Sequence, residues 1–217
     1  MSAFPETYRR NLPHIQRYGS LLFLTYRLNG SLPADVLEQL EKERKENEDR
    51  LAQSQTDPSR HQALRDKIRR RIYVKFDEAL NRGDSGPTWL SEPAIARLLK
   101  EAILYRHPGQ YDLVCFSIMP NHVHQIVVNR PAQVPMYQTI GELKSFTAKK
   151  ANKILGRRGT FWQRESFDHV IRPGRLAKTI LYVLDNPVQA GLVSHWSAWP
   201  YSWLNPRFGG DLVSDLR

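Results

Sequence analysis

The spacing of apolar residues changes repeatedly along the chain, from short runs that suit β-strands to intervals of three or four that suit helices. Runs rich in β-branched and aromatic residues, bounded by turn residues, predict the strands. The first run ends at the Asn29-Gly30 turn, and two later runs are joined by the Pro120-Asn121 turn. We expect strands at residues 19–28, 111–118 and 122–129, and near the end of residues 159–172.

Helical periodicity dominates the segments between these strands. Apolar residues recur at every fourth position from Leu64 to Leu80, which predicts a helix over residues 60–81 with one apolar stripe. Thr139 followed by Glu142 is a capping-box signal for a helix that continues to about Ile154. Helices are also expected at residues 35–56, from Ser91 onwards, and at residues 175–185, where the helix should end before Pro187.

The order of these elements indicates the fold class. Strands and helices are segregated along the chain, which favours an α+β protein with an antiparallel or mixed sheet over a doubly wound sheet. A chain of 217 residues, 41% of them hydrophobic, can bury the core of one globular domain.

The net charge narrows the class of partner. Lys and Arg total 32 and Asp and Glu total 22, which leaves a formal charge of +10. Such an excess favours a polyanionic partner, most simply nucleic acid. For any one basic residue on the predicted helices, a solvated surface position is the alternative.

Several functional classes lack support in the sequence. The single cysteine, Cys115, rules out an intrachain disulfide and a cysteine-rich zinc site, and its apolar neighbours predict a core position. No apolar run has the length of about 20 residues that a membrane span needs. Residues 1–6 lack the pattern of a signal peptide. We therefore expect a cytoplasmic protein with no membrane partner.

Candidate chemistry begins with two histidines at the start of a predicted strand. His122 and His124 are two residues apart in the run Met119-Pro-Asn-His-Val-His124. Side chains alternate between the faces of a strand, so both imidazoles should point the same way and offer half of a divalent metal site. A chance pair on an exposed sheet edge is the alternative.

A second candidate lies on the predicted helix at residues 175–185. Lys178, Tyr182 and Asn186 are spaced by four and share one face, opposite the apolar face that carries Leu176, Ile180, Val183 and Leu184. A tyrosine hydroxyl attacks phosphorus when the phosphate charge is neutralised, and two histidines with one oxygen ligand can hold Mg²⁺ or Mn²⁺ for this purpose. Asn186 could supply the oxygen and Lys178 could steady the phosphate. The structural alternatives are a packed tyrosine and a helix-capping asparagine.

Together these blocks resemble a known family. The chain is similar to the single-tyrosine HUH transposases of the IS200/IS605 superfamily, and most similar to their REP-associated tyrosine transposase branch. The similar blocks occur in family order and cover roughly residues 15–30 and 90–205. They are Met119–His124, Trp162-Gln163, Phe167–Arg172, Tyr182–Val188, Ala190–Val193 and Trp199–Ser202.

The resemblance implies a fold, a reaction and a set of residues. It implies a ferredoxin-like or RRM-like antiparallel sheet with helices on one face, in one domain over residues 1–217. It implies that Tyr182 forms a 5′-phosphotyrosine with single-stranded DNA beside hairpins, and that His122, His124 and Asn186 bind Mg²⁺ or Mn²⁺. The candidates for DNA contact are Trp162 and Arg172, which are family positions, and the basic residues Lys144, Lys149 and Lys178. Gln163 and His169 are expected to support the residues that bind the metal.

The chain also departs from the compact family members. It carries a helical insertion at about residues 33–88, and Ser166-Phe167 stands where an aromatic pair is common. For Trp162 a core position is the alternative to base stacking, and for His169 a buried hydrogen-bonding role. Two other functions remain open: a non-catalytic module that binds hairpin DNA or RNA, and a phosphodiesterase that uses water. The sequence does not choose between a monomer and a homodimer.

Overall fold

The computed structural model describes residues 7–9, 13–15, 18–53, 57–83, 85–130 and 134–209. Residues 1–6, on which the expectation about a signal peptide depends, lie outside these ranges. The chain divides into two compact units, one formed by residues 1–29 and 87–217 and the other by residues 30–86. Among the described residues, no helix is both long enough and apolar enough to cross a membrane.

The first unit is built on a five-stranded sheet in which every neighbouring pair is antiparallel. Its spatial order is β6-β3-β5-β4-β7. The strands are β3 (Leu21–Arg27), β4 (Asp112–Ile118), β5 (His122–Val128), β6 (Phe167–Val170) and β7 (Ser202–Leu204). Two short strands, β1 (Thr7–Arg9) and β2 (Pro13–Ile15), form a separate antiparallel pair.

The connections between the strands identify the topology. Helix α3 (Pro93–Tyr105) lies between β3 and β4 in sequence, and helix α4 (Met136–Ile154) lies between β5 and β6. Four strands joined this way, with the fourth beside the first and the third beside the second, form a ferredoxin-like βαββαβ sheet. The predicted α+β class is therefore confirmed, and β7 adds an edge strand that the sequence pattern did not indicate.

The two faces of the sheet have different coverings. On the core face, β3 contributes Leu22, Leu24 and Tyr26, which form one hydrophobic cluster with Leu28 and with residues of α3 and α4. Helix α5 (Leu176–Gln189) packs against β4 and β5. The ring of its Tyr182 contacts Phe23, which alternates with Leu22 and Leu24 and so belongs to the opposite face. Helices thus cover both faces, whereas the resemblance implied helices on one face only.

Helix α5 also ends later than the sequence suggested. Pro187 lies inside the helix, and Asn186 is an interior residue rather than its cap. The helix ends in a Schellman arrangement: Leu192 N–H donates to the Pro187 carbonyl and Gly191 N–H to the Val188 carbonyl, both at 2.9 Å. Gly191 has a φ of 69°, which favours glycine. The stop signal is therefore Gly191, and the expectation of a stop before Pro187 was wrong.

Helix α4 begins earlier than its capping-box signal. It starts at Met136 after Pro135, whose carbonyl accepts hydrogen bonds from the backbone N–H groups of Gln138 and Thr139. Thr139 is therefore an interior residue, and it is buried. Packing of Met136 and Ile140 into the core extends the helix past the local signal.

The second unit is a helical hairpin. It contains α1 (Ala34–Ala52) and α2 (Pro58–Arg82), close to the predicted helices at residues 35–56 and 60–81. Its small apolar cluster consists of Leu32, Ala79 and Leu80, with Val36, Leu37 and Phe76 packed against it. Lys75 donates to Glu43 at 2.6 Å between the two helices. Leu64, at the other end of the predicted apolar stripe, is exposed.

Candidate active site

Strand pairing places both histidines on the face opposite the main core. Strand β5 lies between β3 and β4, with His124 paired to Thr25 and His122 paired to Arg27. Directly opposed residues of antiparallel strands project to the same side. The histidine face therefore carries Phe23, Thr25 and Arg27 of β3 beside His122 and His124 of β5. The expectation that both imidazoles point the same way is confirmed.

The two imidazoles face each other through their outer nitrogens. Nε2 of His122 lies 2.9 Å from Nε2 of His124, and both side chains are fully buried. Each inner nitrogen has its own partner: Asn121 Oδ1 is 2.6 Å from Nδ1 of His122, and Thr25 Oγ1 is 2.9 Å from Nδ1 of His124. Both rings are therefore held at two points.

This pair fits a divalent metal ion. The two side chains offer nitrogen ligand atoms within metal-binding reach of one another. Adjacent ligands of an octahedral ion at about 2.1 Å lie roughly 3 Å apart, which matches the observed separation of 2.9 Å between the Nε2 atoms. Imidazole nitrogens with hydrogen-bonded inner nitrogens are the usual arrangement of metal-binding histidines.

Tyr182 lies beside this pair. Its ring centroid is 5.9 Å from that of His124 and 6.0 Å from that of Phe23. Phe23 in turn stacks on His124 with a centroid distance of 5.5 Å. Tyr182 is half-buried, so one part of its side chain packs in this aromatic group while another part is accessible. The structure thus brings the predicted nucleophile to the predicted metal ligands from a helix some sixty residues further along the chain.

Asn186 lies one helical turn beyond Tyr182 and is fully buried. Its Nδ2 donates to the Tyr182 carbonyl at 2.7 Å, within the same helix. If Asn186 binds a metal, the ligand atom is therefore Oδ1. Asn186 and the neighbouring Pro187 are both buried, although the helical spacing put Asn186 on the face opposite the apolar residues.

Arg27 adds a positive charge to the histidine face. It is buried opposite His122, and its Nη1 donates to the Leu28 carbonyl at 3.4 Å. Burial lowers the pKa of Arg27 to about 10, so the guanidinium remains charged at neutral pH. A charged group in this position favours an anion nearby, such as a phosphate.

The remaining predicted residues near this face differ in exposure. Lys178, one turn before Tyr182 on α5, is exposed, as is Arg172 after the end of β6. His169 of β6 is paired with Phe23, and its ring lies 5.1 Å from the Phe23 ring. His169 therefore belongs to the same aromatic group as His124 and Tyr182, although its predicted supporting role stays a prediction.

Trp162, Lys144 and Lys149 lie elsewhere, whereas the backbone N–H of Gln163 donates to the Arg27 carbonyl at 2.9 Å. Trp162 is only 5% exposed, and its Nε1 donates to Thr147 of α4 at 2.9 Å. This position favours the core alternative over base stacking. The Lys144 ammonium donates to the Gln163 and Arg164 carbonyls and to Ser166, at 2.6, 3.0 and 3.1 Å, so it holds the loop before β6. Lys149 is exposed on α4.

Sequence reasoning missed three residues that complete the site. Phe23, Thr25 and Asn121 contact the histidines, but only Asn121 is their neighbour in sequence. Thr25 and Phe23 meet His124 across a separation of about a hundred residues, so their roles depend on strand register. The available signal was that odd-numbered residues of β3 share a face, as do even-numbered residues of β5.

Comparisons with known proteins add a limited result. No family model matches the chain, and no curated protein matches it. Among solved structures, the chain is similar to a REP-associated tyrosine transposase bound to a REP hairpin, with 17% identity and a TM-score of 0.49. The match covers 97% of this chain and 87% of that one. Values this low do not establish a family.

Proposed function

We propose that the protein is a DNA-cutting and strand-joining enzyme that uses Tyr182 as its nucleophile and a divalent ion held by His122 and His124. The observation that supports this proposal is the proximity of the Tyr182 and His124 rings, with centroids 5.9 Å apart, beside two Nε2 atoms 2.9 Å apart. A nucleophile and a metal-ligand pair from distant segments meet at one place.

In the proposed reaction, the two histidines would hold the ion, and Asn186 would offer Oδ1 as a further ligand. Mg²⁺ or Mn²⁺, when bound, would neutralise charge on the scissile phosphate. The hydroxyl oxygen of Tyr182 attacks phosphorus and gives its proton to water, which returns one proton to the leaving group; the new O–P bond forms, and the bond from phosphorus to the 3′ oxygen breaks. That oxygen takes a proton and leaves as a 3′-OH. The phosphotyrosine conserves the phosphodiester bond for a later strand transfer.

Charge supports a nucleic-acid substrate. The chain carries a net charge of +10; the exposed Lys178 lies on the helix that carries Tyr182, and the exposed Arg172 follows the strand that carries His169. These side chains would contact phosphates flanking the cleaved bond. From the resemblance, the substrate is single-stranded DNA with hairpins.

The test follows a labelled hairpin-bearing oligonucleotide incubated with Mn²⁺. The unmodified protein should cleave it and form an adduct that survives denaturant. Tyr182→Phe removes one oxygen and little packing, so DNA binding should persist while cleavage and adduct both disappear. Tyr105→Phe, at a position 87% exposed, is the matched control and should retain both.

Three results would overturn the assignment in different ways. An adduct formed by Tyr182→Phe would assign the nucleophile to another tyrosine. Cleavage without any adduct would favour the phosphodiesterase that uses water. If the unmodified protein binds hairpin DNA and never cleaves it, the chain is a binding module.

A further inference from the structure

We propose that Thr25 and Asn121 are positioning residues that fix which nitrogen of each histidine carries its proton, so that both Nε2 atoms can become ligands of one ion. This inference rests on the proposed metal-dependent function. It concerns two residues that do not themselves belong to the predicted ligand set.

Asn121 determines the state of His122. Its Oδ1 is a hydrogen-bond acceptor and lies 2.6 Å from Nδ1 of His122. A carbonyl oxygen this close to a ring nitrogen requires a proton on that nitrogen, so neutral His122 carries its proton on Nδ1. Nε2 of His122 then bears a lone pair directed at the neighbouring histidine. Asn121 is buried and its backbone carbonyl also accepts from Leu28 N–H at 2.8 Å, which anchors the residue against β3.

Thr25, by contrast, allows the proton of His124 to lie on either ring nitrogen. A hydroxyl both donates and accepts, so Thr25 Oγ1, 2.9 Å from Nδ1 of His124, is satisfied by either tautomer. Without an ion, the 2.9 Å contact between the two Nε2 atoms is a hydrogen bond in which His124 donates to the lone pair of His122, and Nδ1 of His124 then accepts from Thr25. With an ion, its proton must lie on Nδ1 and be donated to Thr25. One proton changes nitrogen and none is gained or lost.

The two positions therefore have different chemical requirements. The partner of His122 must be an acceptor in both states, and an amide oxygen provides this. The partner of His124 must reverse its role, and a hydroxyl provides this through rotation about one bond. Both partners are buried, so loss of either would remove the hydrogen bond that orients a ligating ring in the ion-bound state, and affinity for the ion would fall.

The first experiment measures the tautomers of the full-length protein without metal. Long-range proton–nitrogen NMR at about pH 8, where imidazoles are neutral, distinguishes a protonated from an unprotonated ring nitrogen. We expect the proton of His122 on Nδ1 and that of His124 on Nε2. Saturation with Mg²⁺, which is diamagnetic, should move the His124 proton to Nδ1 and leave His122 unchanged. A proton on Nε2 of His122 without metal, or no change at His124 with it, would overturn the inference.

The second experiment measures Mn²⁺ affinity by titration calorimetry in matched variants. Thr25→Val and Asn121→Leu keep the approximate volume and should weaken binding by about 10–100-fold. Thr25→Ser keeps the hydroxyl and Asn121→Asp keeps the acceptor. Both variants should therefore bind Mn²⁺ about as tightly as the unmodified protein does. Thr147→Val, a buried threonine of α4, is the control and should leave Mn²⁺ affinity unchanged. Equal affinity in Thr25→Val and Thr25→Ser would contradict the assigned role of Thr25.

These results separate the inference from the proposed function. An unmodified protein that shows the expected metal-free tautomers and binds no Mn²⁺ would remove the metal-dependent function, and with it the reason proposed for the tautomers. A protein that binds Mn²⁺ with the wrong tautomers would keep the proposed function and overturn only the roles of Thr25 and Asn121.

Discussion

The two faces of the central sheet share the same strands but differ in composition where the candidate site lies. On the core face, Leu22, Leu24 and Tyr26 of β3 join an apolar cluster with α3 and α4. On the histidine face, the alternate residues Thr25 and Arg27 of the same strand are polar and equally buried. One strand therefore contributes to folding with its even-numbered side chains and to the candidate site with its odd-numbered ones.

Burial of polar side chains on the histidine face has a free-energy cost that the core face must offset. Burial of a polar group that makes no hydrogen bond costs roughly 2–7 kcal/mol in transfer measurements. The bonds of His122 and His124 to Asn121 and Thr25 reduce this cost. A buried network of this kind, retained in a sheet that could be apolar on both faces, is typical of a functional site.

The predicted site residues divide between the same two sides. Tyr182, His169 and the histidine pair meet around Phe23 on the histidine face. Trp162 and Lys144 instead hold α4 and the loop before β6 together. The division leads to predictions in which one side controls chemistry and the other controls stability.

The largest expected effect comes from removal of both histidine ligands. His122→Ala with His124→Ala should lower cleavage of single-stranded DNA by at least about a thousandfold, because a bound ion supplies several kcal/mol of charge stabilisation and 1.36 kcal/mol is tenfold in rate. The comparison is Leu24→Ala on the core face, which should cost about 2–5 kcal/mol of stability. Its folded molecules should still cleave. Full activity of the double variant in EDTA would remove the metal from the proposal.

The sequence predicts the features that depend on neighbouring residues better than those that depend on residues far apart in the chain. The period of two in a strand was enough to place His122 and His124 on one face, because it is a local property of the backbone. The period of a helix likewise gave α2, α3 and α5 within a few residues. The strand β7 escaped detection because Ser202-Trp-Leu204 is too short to show alternation.

Tertiary relations were beyond such patterns. The pairing of Thr25 with His124 needs the register between strands separated by 99 residues, which no local signal specifies. Helical spacing put Tyr182 and Asn186 on one face, but it could not show that Asn186 is buried, because burial depends on how α5 packs against the sheet. Roles inferred for Trp162 and Lys144 depended on exposure, which sequence reasoning could not assign.

The second prediction concerns Trp162 and the core side. Trp162→Ala should destabilise the protein by about 3–5 kcal/mol through the cavity that it leaves. Trp162→Phe should cost about 1 kcal/mol through loss of the hydrogen bond to Thr147. Urea unfolding measures both values, and DNA affinity of the folded protein should not change. If Trp162→Phe weakens DNA binding at unchanged stability, base stacking is the correct role.

The third prediction uses alkaline pH, which acts on buried tyrosines of the core side. Burial raises the pKa of Tyr111 to about 12, and burial also raises the pKa of Tyr26. A raised pKa in the folded state contributes stability that is fully present below about pH 10, the unfolded value, and is lost as pH rises through the folded value. The free energy of unfolding should therefore fall between about pH 10 and 12, by up to about 1.4 kcal/mol per pH unit for Tyr111.

Tyr111→Phe separates this effect from other alkaline titrations. It removes the hydrogen bond from Tyr111 to the Ile103 carbonyl, 2.8 Å long, and should lower stability at neutral pH by about 1 kcal/mol. Above about pH 10 its stability should fall less steeply than that of the unmodified protein. Parallel curves for the two proteins, measured by urea unfolding at several pH values, would contradict the role of Tyr111 burial.

The smallest expected effect distinguishes two lysines of the same helix. Lys149 of α4 is exposed, so it can contact a phosphate, whereas the Lys144 ammonium is bonded to the loop before β6. Lys149→Ala should reduce the salt dependence of DNA binding by about 0.7–0.9 in logarithmic slope, the loss of one phosphate contact. Lys144→Ala should instead lower the melting temperature, with a slope close to that of the unmodified protein.

Because α4 lies on the core side, neither variant should slow cleavage by folded protein at saturating DNA. A slower single-turnover rate for Lys149→Ala would show that a DNA contact on α4 affects cleavage at the histidine face. The core side would then contribute to the reaction as well as to stability.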